Sequence, residues 1–261
     1  MRSGTNWFMD VVGQLPQTIC FRDVFNPRGA FGINARRKLI SNELADHLEL
    51  SYFDESDPEL TFFIRNDPDG FLSNAEEIAA SEGMNWVGAT IFPNHLAQRQ
   101  LHDVFSNTNS HLIFLTRRHI DRAISLKKVK AVGQWKHIDT TNVPVTLDVK
   151  DIEKTVRDTE DWFISIANCL GKKLSSVCWL SFEDHIQKGV TATLEAISQN
   201  VEGFPWKSGD DVPTSHFERQ DRSASPFEKI ENGEALRAEL ERKGLLELAM
   251  GSPARLAKLH I

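Results

Sequence analysis

Apolar positions Trp7, Phe8, Val11, Val12 and Leu15 recur at helical spacing, predicting a helix that starts within a turn of Gly4 and stops before Pro16. Thr18-Ile19-Cys20-Phe21 then reads as a short strand. A longer β-type run, residues 85–92, is stopped by Pro93-Asn94, and a helix is expected from Leu96 through Phe105. Residues 111–116 form a buried-type strand that runs into Arg117-Arg118. After them comes an amphipathic helix carrying Ile120, Ala123 and Ile124. Residues 150–170 predict a long helix with Ile152, Val156, Phe163, Ile166 and Ala167 on its apolar side. A further strand is expected over 176–182 and a last helix over about 233–249. Strands alternating with helices predict an α/β fold with a small, mostly parallel central sheet flanked by helices.

Two stretches interrupt this rhythm. Residues 30–82 read as an accessory region, helical and loop-rich, with a solvated acidic run at Asp54-Glu55-Ser56-Asp57-Pro58-Glu59. A helix is placed there at about 73–82, with Ser73 as cap and Glu76 as its capping-box partner. Residues 201–226 shift to Gly, Pro, Ser and Asp and predict a mobile loop. Within that organisation, the whole chain, 1–261, is expected to form a single domain.

Composition narrows the chemistry. With 40% hydrophobic and 26% charged residues the chain has the make-up of a soluble globular protein, and no apolar run is long enough to span a bilayer. A net charge of −7 disfavours nucleic acid and acidic membranes as partners, so an anionic ligand requires a local basic pocket. Cys20, Cys169 and Cys178 have no C-x-x-C spacing, which argues against a disulfide framework or zinc site and fits a cytoplasmic location. His95 and His102 lie seven residues apart with no third ligand in view, and no metal is expected.

Two polar stretches carry candidate chemistry. Arg2-Ser3-Gly4-Thr5-Asn6-Trp7 is a basic, hydroxyl-rich turn opening a helix, where backbone N–H groups and an arginine fork suit an anion. The Arg117-Arg118 turn, at the carboxyl end of a strand and the start of a helix, has the same logic. His95 follows the strand over 85–92, and histidine suits a general base because it titrates near neutrality.

The first stretch resembles the phosphosulfate loop of sulfotransferases, Arg/Lys-Ser-Gly-Thr-Thr/Asn-Trp. Arg117 followed eight residues later by Ser125 resembles their 3′-phosphate-binding segment. Arg22-Asp23-Val24-Phe25-Asn26-Pro27 is similar to the Gly-Glu-x-Phe-Asn-Pro stretch of bacterial lipopolysaccharide and nodulation-factor enzymes, with Asp23 in the glutamate's place. Residues 86–95 resemble the Gly-Phe-Lys-Ile-Phe-x-x-His segment, with Thr90 where lysine is common. Phe182-Glu183-Asp184 resembles the Tyr-Glu-Asp that ends a core strand, and those acids are expected to cap the helix running to about Ser198. Trp135 matches a tryptophan some ten residues after the serine. Phe217-Glu218-Arg219-Gln220 resembles the C-terminal stretch whose basic residue covers the nucleotide. In that family a strand leads into the first loop, so either an upstream segment or a missing strand is expected.

The resemblance implies a P-loop-like sulfotransferase fold with 3′-phosphoadenosine 5′-phosphosulfate as co-substrate and a carbohydrate or glycolipid hydroxyl as acceptor. Arg2, Ser3, Gly4, Thr5, Asn6 and Trp7 would hold the phosphosulfate, Arg117 and Ser125 the 3′-phosphate, and Arg219 would cover the nucleotide. The base is Asp23 or His95, and Arg2 would stabilise charge on the departing phosphate. Two alternatives stay open. A non-catalytic nucleotide- or glycan-binding module of the same kind is one. A P-loop-type kinase is the other, although no G-x-x-x-x-G-K-[ST] is present.

Overall fold

A computed structural model of the chain describes residues 4–33, 46, 54–106, 110–133, 139–217 and 225–253. These fall into two compact units. The first is Thr5–His111 with Leu194–Ser215. The second joins Leu112–Thr193 with the described residues of Met1–Gly4 and His216–Ile261.

In the first unit, α1 (Thr5–Val12) buries Phe8, Met9, Val11 and Val12, the face its periodicity marked. β1 (Thr18–Phe21) is buried along its whole length. Two helices follow the acidic stretch, and each is started by an aspartate and a proline. Asp57 caps α2 (Pro58–Asn66) by accepting from the N–H groups of Glu59 and Leu60. Asp67 caps α3 (Pro68–Ser81) by accepting from Gly70. Proline suits the first helical position because its φ is already helical and its missing N–H would have had no partner. The expected start at Ser73 is therefore corrected to Asp67-Pro68, where cap and proline act together.

α3 leads to β2 (Trp86–Ala89), which pairs with β1 in parallel, Thr18 opposite Trp86 and Phe21 opposite Ala89. A Cβ at Gly88 would lie 3.0 Å from the Cys20 sulfur, so the two strands approach at a point where only glycine fits comfortably. α4 (Gln98–Ser106) follows. Phe204 and Trp206, from the stretch expected to be loop, are buried in this unit, with Phe204 edge-on to Trp86.

In the second unit, β3 (Ile113–Thr116) leads into α5 (His119–Val132), which ends at Gly133 in the left-handed conformation. α6 (Val149–Leu170) begins with a reciprocal capping box between Asp148 and Asp151 and buries Ile152, Val156, Phe163, Ile166 and Leu170. β4 (Cys178–Ser181) pairs in parallel with β3, Ile113 opposite Cys178 and Thr116 opposite Ser181. α7 (Val190–Ser198) carries the chain from this unit into the other. The predicted C-terminal helix is two helices, α8 (Gly233–Arg242) and α9 (Leu246–Met250). Gly244, at φ 66°, ends the first while the Leu245 N–H returns to the Leu240 carbonyl, a turn that only a left-handed residue closes easily. The core of this unit joins Ile120 and Ile124 to Ile152, Val156, Leu236 and Leu240.

The α/β class holds. In place of one central sheet, the described residues form two separate parallel sheets of two strands each. Every strand is four residues long and bonds to a single neighbour; β1 matches the run that predicted it, while β2, β3 and β4 are shorter than theirs. Among the described residues no helix is long and apolar enough to cross a membrane.

Candidate functional site

Each parallel pair sends both strands out at the same end, and polar side chains gather there in both units. Carboxyl ends of parallel strands are where open α/β sheets collect ligands, because loops diverge there and helix starts converge.

In the first unit the chain leaves β1 through Arg22 and Asp23. The Asp23 N–H donates to the Phe31 carbonyl at 2.9 Å, closing a small loop, and Asn26 Nδ2 donates to Asp23 Oδ2 at 3.0 Å. Arg22 turns the other way and pairs with the buried Asp10 at 3.0 Å. The chain leaves β2 through Thr90, whose N–H bonds the Arg22 carbonyl, and reaches His95 in a turn where the His95 N–H donates to the Phe92 carbonyl. His95 Nδ1 accepts from the Phe92 N–H at 3.2 Å, so the proton of the neutral ring sits on Nε2. Nε2 lies 3.2 Å from Asp23 Oδ1. The Phe92 ring stands edge-on to the imidazole, and Arg65 Nε donates to the His95 carbonyl. Nδ1 is thus hydrogen-bonded and Nε2 faces the Asp23 carboxylate; the ring is 5% exposed, while the Asp23 side chain is 18% exposed. The two residues named as alternative bases form one pair, and Asp23 is its accessible end. A cavity of about 580 Å³ beside α1 and β1 is lined by Met9, Leu15, Ile19 and Arg22, but by neither member of the pair.

In the second unit, Arg117 and Arg118 leave β3, and Phe182 and Glu183 leave β4. The Arg117 guanidinium lies 4.4 Å over the Phe182 ring, a cation–π stack. Gly4 meets the same ring: a Cβ there would lie 3.1 Å from both Phe182 and Ile186. Gly4 also has φ 83°, a left-handed backbone that favours glycine, and the crowding by Phe182 and Ile186 acts in the same direction. Asp121, in the first turn of α5, is buried among cations. Lys229 Nζ donates to its Oδ1 at 2.6 Å, Arg118 Nε lies 2.7 Å from Oδ2, and Arg117 Nη2 lies 4.0 Å from Oδ1. Burial pushes the Asp121 carboxyl up, but the charges of Lys229, Arg117 and Arg118 outweigh it and hold the group below its ordinary value.

Glu183 departs from expectation. It accepts from the Arg118 N–H at 3.2 Å and lies 3.5 Å from Arg118 Nε, so it serves the start of α5. Asp184 accepts from the Ser181 hydroxyl at 2.8 Å. The register of β3 against β4 brings Glu183 to Arg118, five residues or more before α7 begins at Val190. Burial raises the Glu183 carboxyl above its ordinary value.

Of the other predicted residues, Thr5, Asn6 and Trp7 form the half-buried first turn of α1, and Ser125 is half-buried near the end of the second turn of α5. Arg2, Ser3, Trp135 and Arg219 lie outside the described residues. Arg118 was named only as part of the basic turn, without a role of its own, and Asp121 and Lys229 were not singled out as site residues. An acid three and four residues after two arginines at a predicted helix start was the available signal for Asp121. Lys229, 108 residues from Asp121, had none. Among the described residues no group of three or more His, Cys, Asp or Glu could hold a metal ion.

No protein-family model, curated protein or solved structure matches the chain.

Proposed function

We propose that the protein is a sulfotransferase of the P-loop-like kind. It moves a sulfuryl group from 3′-phosphoadenosine 5′-phosphosulfate to a hydroxyl of a carbohydrate or glycolipid. The observation that carries this reading is the meeting of its two sequence motifs on one side chain. Arg117 of the 3′-phosphate motif stacks on Phe182, and Gly4 of the phosphosulfate-loop motif lies beside the same ring, where an added Cβ would come within 3.1 Å, at the carboxyl end of a parallel pair.

In this reading Arg2, Ser3, Gly4, Thr5, Asn6 and Trp7 hold the phosphosulfate, and Arg117 with Ser125 holds the 3′-phosphate. Arg219 covers the nucleotide. Asp23 accepts the proton of the acceptor hydroxyl while that oxygen forms its bond to sulfur. The bond from sulfur to the bridging phosphate oxygen breaks in line, and 3′-phosphoadenosine 5′-phosphate leaves with the electron pair. His95 stays protonated on Nε2 and holds the Asp23 carboxylate in place. Arg2 stabilises the charge growing on the departing phosphate, as fixed donors do in such transfers.

The test is calorimetric titration of the chain and of Arg117→Ala with 3′-phosphoadenosine 5′-phosphate. Binding that is lost in the variant is expected, since removing one partner of a desolvated charge contact costs about 2–5 kcal/mol. An unmutated chain that gives no heat with this nucleotide contradicts the reading.

A further inference from the structure

Resting on that reading, the structure assigns Arg118 as a second arm of the phosphate clamp. Asp121 anchors it by charge, Lys229 balances Asp121, and the ligand group is the dianionic 3′-phosphate monoester.

A strand–turn–helix junction ordinarily binds anions through the first backbone N–H groups of the helix. At α5 two of these are committed inside the protein: Arg118 N–H to Glu183 at 3.2 Å and His119 N–H to the Gly251 carbonyl at 2.9 Å. Those two N–H groups no longer serve a ligand, which leaves a larger share of a phosphate's contacts here to side chains. Arg117 is the less accessible arginine, 13% exposed, with its guanidinium stacked on Phe182. Arg118 is 25% exposed. Only its Nε faces protein charge, Asp121 at 2.7 Å and Glu183 at 3.5 Å, and its two Nη nitrogens have no partner among the described residues.

Asp121 holds the Arg118 guanidinium by charge, without a hydrogen bond between Nε and Oδ2, and leaves the planar Nη pair, a donor set that suits bidentate binding of phosphate oxygens. Lys229 completes the arrangement. Without it, Asp121 would be a full negative charge close to the anion site. With it, three basic side chains face two carboxyls, and the cluster keeps a positive excess.

Two nucleotides that differ only in the 3′-phosphate separate this role from a structural ion pair. 3′-Phosphoadenosine 5′-phosphate and adenosine 5′-monophosphate are titrated calorimetrically into the chain, Arg118→Ala and Arg118→Lys, with thermal melts to confirm folding. Arg118→Ala is expected to weaken the bisphosphate by about 10- to 100-fold, the range of a charged hydrogen-bond pair, and to leave the monophosphate unchanged. Arg118→Lys is expected to recover only part of the loss, since a point charge replaces a fork. Equal affinity of the bisphosphate for the chain and a folded Arg118→Ala overturns the assignment and leaves the nucleotide reading standing. An equal loss for both nucleotides overturns it too, because the effect is then not at the 3′-phosphate. If neither nucleotide binds the unmutated chain, both the assignment and the function it rests on fail.

Discussion

His95 Nε2 lies 3.2 Å from Asp23 Oδ1, while His95 Nδ1 accepts the Phe92 N–H. That pairing gives the two residues different duties. The Nδ1 lone pair of His95 is occupied by a backbone N–H, whereas the Asp23 carboxylate, at 18% exposure, is the member of the pair that an incoming hydroxyl can reach.

Asp23→Asn is expected to lower sulfuryl transfer by about 10²–10⁴-fold, the usual contribution of a positioned general base. Affinity for 3′-phosphoadenosine 5′-phosphate should be unchanged. His95→Gln should cost less in rate than Asp23→Asn, because it removes an orienting group and leaves the base. Steady-state rates combined with nucleotide calorimetry check both; a larger loss in His95→Gln than in Asp23→Asn would reverse the assignment.

Gly4→Ala should destabilise the fold by about 1–2 kcal/mol from its left-handed backbone alone. Contact of the new methyl with Phe182 and Ile186 adds to that. Denaturant unfolding measures the first effect. Weakened nucleotide binding, through a displaced Phe182 and the Arg117 stacked on it, measures the second.

Asp121→Asn leaves Lys229 buried without its counter-charge and is expected to cost about 3–5 kcal/mol of stability. Adding Lys229→Met should restore part of that loss, which a double-mutant cycle in urea would read directly. Strict additivity of the two changes would mean that the pair is not coupled.

The two carboxyls of the cluster respond to pH with opposite sign. Asp121 has its folded value depressed, so the stability it contributes is present above its unfolded value of about 3.8 and is lost as pH falls through the lower, folded value. Glu183 has its folded value raised, so the folded state holds that proton more tightly. Its effect favours folding below about 4.5 and disfavours it once pH exceeds the raised value. Glu183→Gln should therefore raise stability at pH 7, with the gain disappearing toward pH 4. Unfolding curves at the two pH values test the sign.

The local parts of this fold were legible in the sequence. The apolar face of α1, the length of α6 and the strands that lead to Asp23 and His95 follow from periodicity and breakers within a dozen residues. What was not legible depends on register. Asp23 and His95 meet because Phe21 stands opposite Ala89, and Glu183 reaches Arg118 because Thr116 stands opposite Ser181. No local pattern encodes either pairing. Glu183 was read as a cap for the helix after it, since an acid near a helix start is the common local case. The Asp67-Pro68 start of α3 shows the opposite error: the signal was local, but a capping box further along competed with it.

Transfer itself is the most direct measurement. Sulfur-radiolabelled 3′-phosphoadenosine 5′-phosphosulfate is incubated with the chain and a panel of free and lipid-linked saccharides, beside Asp23→Asn and a protein-free control. Label is expected in at least one saccharide, with release of 3′-phosphoadenosine 5′-phosphate in equal amount, and a loss of about 100-fold or more in the variant. If the nucleotide binds but no saccharide is labelled above the control, the protein is a nucleotide-binding module and the claim of catalysis is contradicted.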